Sequence, residues 1–495
     1  MYYKSDKLKA ILMSVFFFLI ITSYYVIKPV RNSLVTAVLG TNTMATLNIA
    51  LIFVITACVF VYNYVLGKFK KANVITGAYV FFISNLILFW IIHNFHDHSD
   101  VLKLTGVLSQ FFQNFDFIMG VCFFLWVGAY NVIIVSIFFT FCNDIFTCEN
   151  GKKHYALIGA GGVIGGVAGS EISSFCVKFM GSTNLLLISA AILSGCLVII
   201  MIIFSMLKSE NRYDQLMNRI IQTGEKPSAL HAVKVFRKNK YAYLIAQMML
   251  LITMMATLLN FVFSYQTEIE IVVDDKEIIQ SLSRFSKDYS KTTYGLESDK
   301  LFKEYLSKMK GDFNKKDLPV DLKILFSSRG KRLKKEKATA FWAEFNKCMG
   351  YLAIFIQVCL TKFINTRYGI PFSVFLLPAV FIFGSLSLCV VLNLTMIWWM
   401  SLFQYGIGYS LFQSSKEQLF LPAGENVKYR AKSVIDSVVV RGADAFASLL
   451  FHVLISLLAL SYKSLVVSCV FLSIPLVFIM IKLKDHYNEL TQQEN

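Results

Sequence analysis

Lys28 and Arg31 stand inside an apolar stretch that runs from about Ala10 to Leu39. On a helix Tyr24, Lys28, Arg31 and Asn32 share one face through i, i+3 and i+4 spacing, and Pro29 removes a backbone donor beside them. A cation at bilayer depth costs roughly 2.5–3.5 kcal/mol on insertion scales, so such residues face a protein interior or a watery cavity unless they snorkel to the surface. The chemistry on offer is therefore the grip of a buried anion. A second charged set, Asp436, Arg441 and Asp444, lies among Val, Ile, Ala and Leu further along. Charges of opposite sign at such depth pair with each other or meet a ligand. Arg441 is the better ligand candidate, because guanidinium recognises phosphate bidentately while carboxylates repel it. Tyr25, next to Tyr24, is a candidate for stacking on a planar group, with aromatic packing as the alternative. Glu171 and Asn131 are weaker polar candidates, each also explained by packing or hydrogen bonding.

These side chains need helices to carry them. Of 495 residues 56% are hydrophobic and only 16% charged, which is the profile of many membrane spans and not of a soluble core. Apolar runs of about twenty residues centre near residues 20, 56, 83, 130, 167, 195, 252, 355, 380, 403, 446 and 472. The expected fold is an all-α polytopic membrane protein of about twelve helices. Lys and Arg concentrate in alternate loops (Lys68 to Lys71, Lys152 and Lys153, Lys234 to Lys240, Lys362 and Arg367, Lys428 to Lys432), which by the positive-inside rule places both termini in the cytoplasm. The net charge of +17 is spread over these loops, so it sets topology and does not describe a nucleic-acid surface. The first apolar run is longer than a signal segment and no small-residue cleavage site follows it, so it is expected to remain as an anchor.

The chain divides into a six-helix half over 1–208, a linker over 209–239, a seventh helix over 240–265, a polar insert over 266–338 and the remainder of the second half over 339–495. Short amphipathic patches around Ile278 to Phe285 and Leu301 to Met309 suggest small helices in the insert, which is expected outside although it ends in the basic run Lys331 to Lys337. Leu66 to Lys71 and Leu360 to Arg367 echo each other after the second and eighth spans, as in a parallel-repeat transporter with its site between two halves.

Several chemistries lack their residues. The fifth span, Gly159 to Gly169, has Ile164 where a dinucleotide loop needs its third glycine, and its Gly161, Gly165 and Gly169 are spaced for close helix contact instead. Gly151, Lys152 and Lys153 do not make a P-loop, and no HExxH or GxSxG element stands on any span, so no enzyme activity and no cofactor are expected. His93, His96 and His98 cluster with Asp97 in an expected loop without a frame for metal, and the ten cysteines form no CxxC and are expected as free thiols.

Three ordered stretches resemble the ATP/ADP translocase family of plastids and obligate intracellular bacteria, nucleotide transporters of the major-facilitator type. Ile27-Lys-Pro-Val-Arg-Asn-Ser-Leu34 is similar to that family's R-x-x-K-D-x-L element. Ser136 to Ile145 followed by Lys152 to Gly161 is similar to its S-x-L-F-W-x-F-A-N-Q-I and K-x-F-Y-x-L-F-G-x-G pattern. Ser415-Lys-Glu-Gln-Leu-Phe-Leu-Pro422 with Ala431 to Asp436 and Arg441 is similar to its T-K-E-M-A-Y-I-P and G-K-A-A-I-D-V-V-x-x-R blocks. The resemblance implies two six-helix halves and alternating-access carriage of a nucleotide. It implies substrate contact by Lys28, Arg31, Asn32, Tyr25, Arg441 and Asp436, and gate or ion-pair roles for Lys416, Glu417, Lys432 and Asp444. Departures are Asn32 in place of an aspartate, Gly128 and Val262 in place of glutamates, and Gln266 and Asp444 in place of lysines. They set this chain among divergent bacterial members, expected as monomers in an inner membrane. A different organic anion as cargo, or a scaffold acting through the 266–338 insert, are the alternative readings.

Overall fold

The computed structural model describes residues 2–98, 108–146, 148–217, 239–281, 320–420, 422 and 434–494. Every regular element among them is a helix. In a bilayer a spanning chain has to satisfy its backbone internally, and helices do so within one segment. Ten described helices are long and apolar enough to cross a membrane.

In order, α1 is Tyr2–Leu34, extended by the π-helical turn Val35–Leu39; α2 is Thr41–Lys68, α3 Lys71–His98 and α4 Leu108–Ile145. The helical run Cys148–Ser209 breaks at Gly181, whose φ of 75° and ψ of 171° are a backbone conformation that glycine adopts without strain. It makes two spans. Gly161, Gly165 and Gly169 meet Ser14, Phe18 and Thr22 of α1 in rising order, whereas Ser189 and Gly195 meet Ser23 and Leu19 in falling order. The piece before Gly181, α5, is thus parallel to α1, and the piece after it, α6, antiparallel.

In the second half α7 is Lys240–Glu270, α8 Val320–Phe355 continued through Ile356–Leu360 to Thr361–Arg367, and α9 Ile370–Val390. The contiguous pieces Leu394–Ile407, Gly408–Phe412 and Gln413–Leu419 form α10, split by a π-helical turn. Ile435–Val439, Val440–Phe451 and His452–Leu457 form α11, and Lys463–Glu494 is α12. Counting the break at Gly181 and the segmented α10, twelve spans result, as the hydropathy pattern predicts. Asn239 and Asn393 cap α7 and α10 by accepting from the Ala242 and Met396 backbone N–H at 3.0 and 2.8 Å.

The polar segment after α7 has different bounds from those read in the sequence. α7 continues to Glu270, residues 275–281 are helical, and the basic run Lys331 to Lys337 lies on α8 itself. At 1.5 Å per residue the 36 residues of Val320–Phe355 reach about 54 Å, well beyond a hydrocarbon core of about 30 Å. The expected small helix around residues 301–309 lies outside the described residues.

Two cores match the two halves. One gathers buried residues between Ala10 and Met217, the other residues from Tyr241 to Leu483. The second also takes in Val35, Leu39, Met44 and Leu47 from the α1–α2 turn. On the face where α1 begins, called proximal here, the two cores share no such buried residues among the described ones. Large apolar side chains such as Phe53, Phe179, Phe383, Val390 and Phe478 are left exposed, as lipid-facing positions require.

Candidate functional site: a cationic chamber between the halves

Ser14, Phe18 and Thr22 approach α5 so closely that a Cβ on Gly165 would lie 2.5 Å from the Phe18 carbonyl oxygen. Small residues let α1 seat flat on α5, and Thr22 Oγ1 donates across the seam to the Gly165 carbonyl at 3.2 Å. That contact fixes the rotation of α1 about its axis. The adjoining face of α1 then points between the halves and carries Tyr24, Lys28, Arg31 and Asn32 into a cavity of about 320 Å³, which Tyr25 also lines while packing against Gly166 and Gly169 of α5.

Asn131 of α4, Asn260 and Ser264 of α7, Asn346 of α8 and Tyr405 of α10 complete much of the wall. Lys28 Nζ sits over the Tyr25 ring, 4.8 Å from its centroid. Arg31 donates through Nε and Nη2 to Asn32 Oδ1 at 3.3 and 3.0 Å, and its guanidinium lies 5.4 Å from the Phe124 ring. No carboxylate pairs with either cation among the described residues. Cation–π contacts offset part of the desolvation but leave two positive charges a few residues apart with no anion.

A second cavity of about 570 Å³ shares Ile21, Tyr25 and Tyr409 with the first and continues toward the proximal face along Gln357, Gln413, Ser414 and Glu417. The chamber is therefore reached from that face. At the distal face the halves are joined. Thr41 donates through its backbone N–H and hydroxyl to Glu268 Oε2 at 3.0 and 2.9 Å, and within the second half Lys334 Nζ donates to the Glu268 carbonyl at 2.8 Å. Thr339 donates to Ser33 at 2.7 Å, Trp342 to Thr36 at 3.3 Å and Tyr462 to Asn42 at 3.1 Å.

The other expected site residues lie elsewhere. Arg441 does not line the chamber: its Nη1 is 3.4 Å from Asp444 Oδ2 on the next turn of α11, and Asp444 also accepts from Thr257 at 2.7 Å. Asp436, expected with the substrate, instead accepts from Lys416 at 2.9 Å, and Lys416 is also 3.9 Å from Glu417. A carboxylate within reach of an unpaired buried ammonium takes it as partner before any solute does. Lys432 lies outside the described residues. Glu171 accepts from Tyr351 at 2.5 Å across the α5–α8 contact. Glu277, which lies between α7 and α8, accepts from the Lys337 ammonium at 2.6 Å, and this contact holds its carboxyl below the usual carboxylate range.

Asn346, Asn260, Ser264, Tyr405 and Tyr409 were not singled out in the sequence. The one signal was an isolated amide or hydroxyl in an apolar span, and Tyr405 with Tyr409 at i, i+4 spacing, which packing explains equally well.

A family model described as TLC ATP/ADP transporter matches residues 3–296. No curated protein matches the chain. Among solved structures, the nucleoside transporter NupG is 12% identical with a TM-score of 0.47, covering 97% of this chain and 98% of that one. An auto-inhibited POT family peptide transporter is 10% identical with a TM-score of 0.49, covering 97% and 96%. A bacterial homolog of the human lysosomal transporter Spinster, inward-facing and unoccupied, is 10% identical with a TM-score of 0.45, covering 99% and 97%.

Proposed function

Since the chain belongs to the TLC ATP/ADP transporter family and is by that membership a multi-pass membrane transporter, we propose that its cargo is a nucleotide, held by Lys28 and Arg31 and moved by alternating access. The observation that carries this reading is the pair of cations without a counter-ion among the described residues, on the wall of a chamber between two halves. An entering phosphate supplies the missing negative charge, and each charge-assisted hydrogen bond it accepts contributes about 1.5–3 kcal/mol. Asn32 holds the Arg31 guanidinium in place, and Tyr25 packs beneath the Lys28 ammonium.

Arg441, tied to Asp444 in this conformer, stands by rather than gripping. Lys416, Asp436 and Glu417 lie near the proximal mouth, where pairs would rearrange as that face closes. Lys432 is proposed to join them. By the positive-inside rule the proximal face is cytoplasmic, with both termini there, in a bacterial inner membrane. The carrier is taken to work as a monomer, without a cofactor.

The test is exchange in proteoliposomes loaded with ADP and supplied with labelled ATP. Wild-type protein accumulates label, and Lys28→Ala or Arg31→Ala lowers apparent affinity about ten- to a hundredfold, the loss of one charge-assisted contact. Uptake indifferent to both substitutions, or uptake of an uncharged nucleoside at the same rate, contradicts the reading.

A further inference from the structure

Trp342, Phe345 and Asn346 share one face of α8 and reach the chamber together. The two aromatic side chains are fixed. Trp342 Nε1 donates to Thr36, and the Phe345 ring lies 6.0 Å from Trp342 and 6.2 Å from Tyr405. On α10 the Tyr405 and Tyr409 rings lie 5.8 Å apart, only 14° from parallel. Asn346 lines the chamber with these rings, 1% exposed, and its Nδ2 has no hydrogen-bond acceptor among the described residues. A buried amide donor left unmade costs free energy in the empty protein, and a hydrocarbon side chain of the same size would avoid the cost. Lys28 and Arg31, on α1, have Tyr24, Tyr25 and Asn32 beside them, but there the Asn32 amide oxygen is taken by Arg31 and the Tyr25 ring by Lys28. The chamber thus has a cationic wall and, on the other half of the molecule, an aromatic wall that holds a buried, unspent amide donor.

We propose that Asn346 is a specificity-determining residue, whose Nδ2 donates to an acceptor atom of a nucleobase lying against Phe345 and Tyr405 while Lys28 and Arg31 hold the phosphates. The inference rests on the nucleotide reading and adds to it which wall reads the base. A cargo of this shape bridges the two halves, its charge on α1 and its ring on α8 and α10. An inorganic polyphosphate reaches only the first wall. A site that hydrogen-bonds its ligand discriminates strongly against analogues without the matching group, because its own buried polar atom is then left unpaired.

The experiment is calorimetric titration of the purified full chain with ATP and with tripolyphosphate, on wild type, Asn346→Leu and Asn346→Ser, with ligand-free melting temperatures measured in parallel. Wild type is expected to bind ATP at least about tenfold tighter than tripolyphosphate. Asn346→Leu narrows that ratio to about threefold or less by weakening ATP alone, and Asn346→Ser, which keeps a shorter donor, falls between. Should Asn346→Leu fail to fold, the serine variant carries the comparison. An unchanged ratio in the variants, or equal weakening of both ligands, overturns the role given to Asn346. Wild type that binds both ligands equally overturns it too while leaving the anion grip standing. Wild type that binds neither removes the nucleotide reading itself, and this inference with it.

Discussion

The distal and proximal ends of the contact between the halves are built from different bonds. Distally the halves meet through Thr339 and Ser33, Trp342 and Thr36, Thr41 with Glu268 and Ser174 with Glu344, uncharged donors to uncharged or carboxylate acceptors. Proximally the strong pairs stay inside one half: Lys9 with Glu210, Lys71 with Asp144, Lys416 with Asp436. A neutral hydrogen bond is worth about 0.5–1.5 kcal/mol net, so a few of them close an end that can still reopen, whereas breaking a buried ion pair costs about 3–5 kcal/mol. On the proposed alternating-access reading, ion pairs would keep each half a rigid body and weaker bonds would decide which face the chamber opens to.

Freezing the distal end has the largest expected effect. In a background freed of native cysteines, oxidation of a Ser33→Cys, Thr339→Cys pair should abolish exchange, with reductant restoring it; full activity after complete crosslinking would show that this end does not need to open. Next comes a proximal pair. Asp436→Ala strips the partner from Lys416, itself 4% exposed, and is expected to cost at most about 3 kcal/mol of stability, the partner carboxylate being part-exposed. Thermal unfolding in detergent reads that loss, while the labelling pattern of the two faces stays as in wild type. Asp436→Ala that shifts the labelling pattern instead would erase the division of labour between the ends.

Glu268→Ala has a smaller effect of the opposite kind. It removes the acceptor of both Thr41 bonds, so the closed distal end loses about 1–3 kcal/mol and the distally open population rises about five- to a hundredfold. Labelling of Ser33→Cys by an impermeant maleimide from the distal side measures it, and unchanged labelling would remove Glu268 from the closure. The smallest effect is one of pH. Because Lys337 depresses the Glu277 pKa in the folded protein, the contribution of this contact is complete above the ordinary carboxylate value of about 4.3 and is lost as pH falls through the lower folded value. A spin label at Lys276→Cys should therefore gain mobility only in acid below about pH 4, and Glu277→Gln should remove that dependence.

Much of this architecture was legible in the chain. Twelve apolar runs became twelve spans, and the spacing of Gly161, Gly165 and Gly169 announced the tight α1–α5 seam. Lys28 and Arg31 were conspicuous because charge in an apolar run is costly and therefore rare. Pairing was harder to read. Asp436, Arg441 and Asp444 lie within nine residues, and which of them finds Lys416 depends on how α10 and α11 face each other, which no local pattern encodes. The run Lys331 to Lys337 looked like the end of a loop by polarity, yet Lys, Glu and Ala favour helix and the Arg332 to Glu336 pair at i, i+4 supports one. Asn346 was invisible for a related reason: one amide in an apolar span carries no sign of whether its partner is protein or cargo.

The most direct measurement is the shift in melting temperature of the purified protein with ATP and with adenosine, on wild type and on the Lys28→Ala, Arg31→Ala double variant. Binding to the folded state raises stability by mass action. ATP should stabilise wild type strongly, adenosine weakly, and the double variant should lose the response to ATP while keeping its ligand-free melting temperature. Equal stabilisation by ATP and adenosine, or an undiminished ATP response without both cations, would contradict the account.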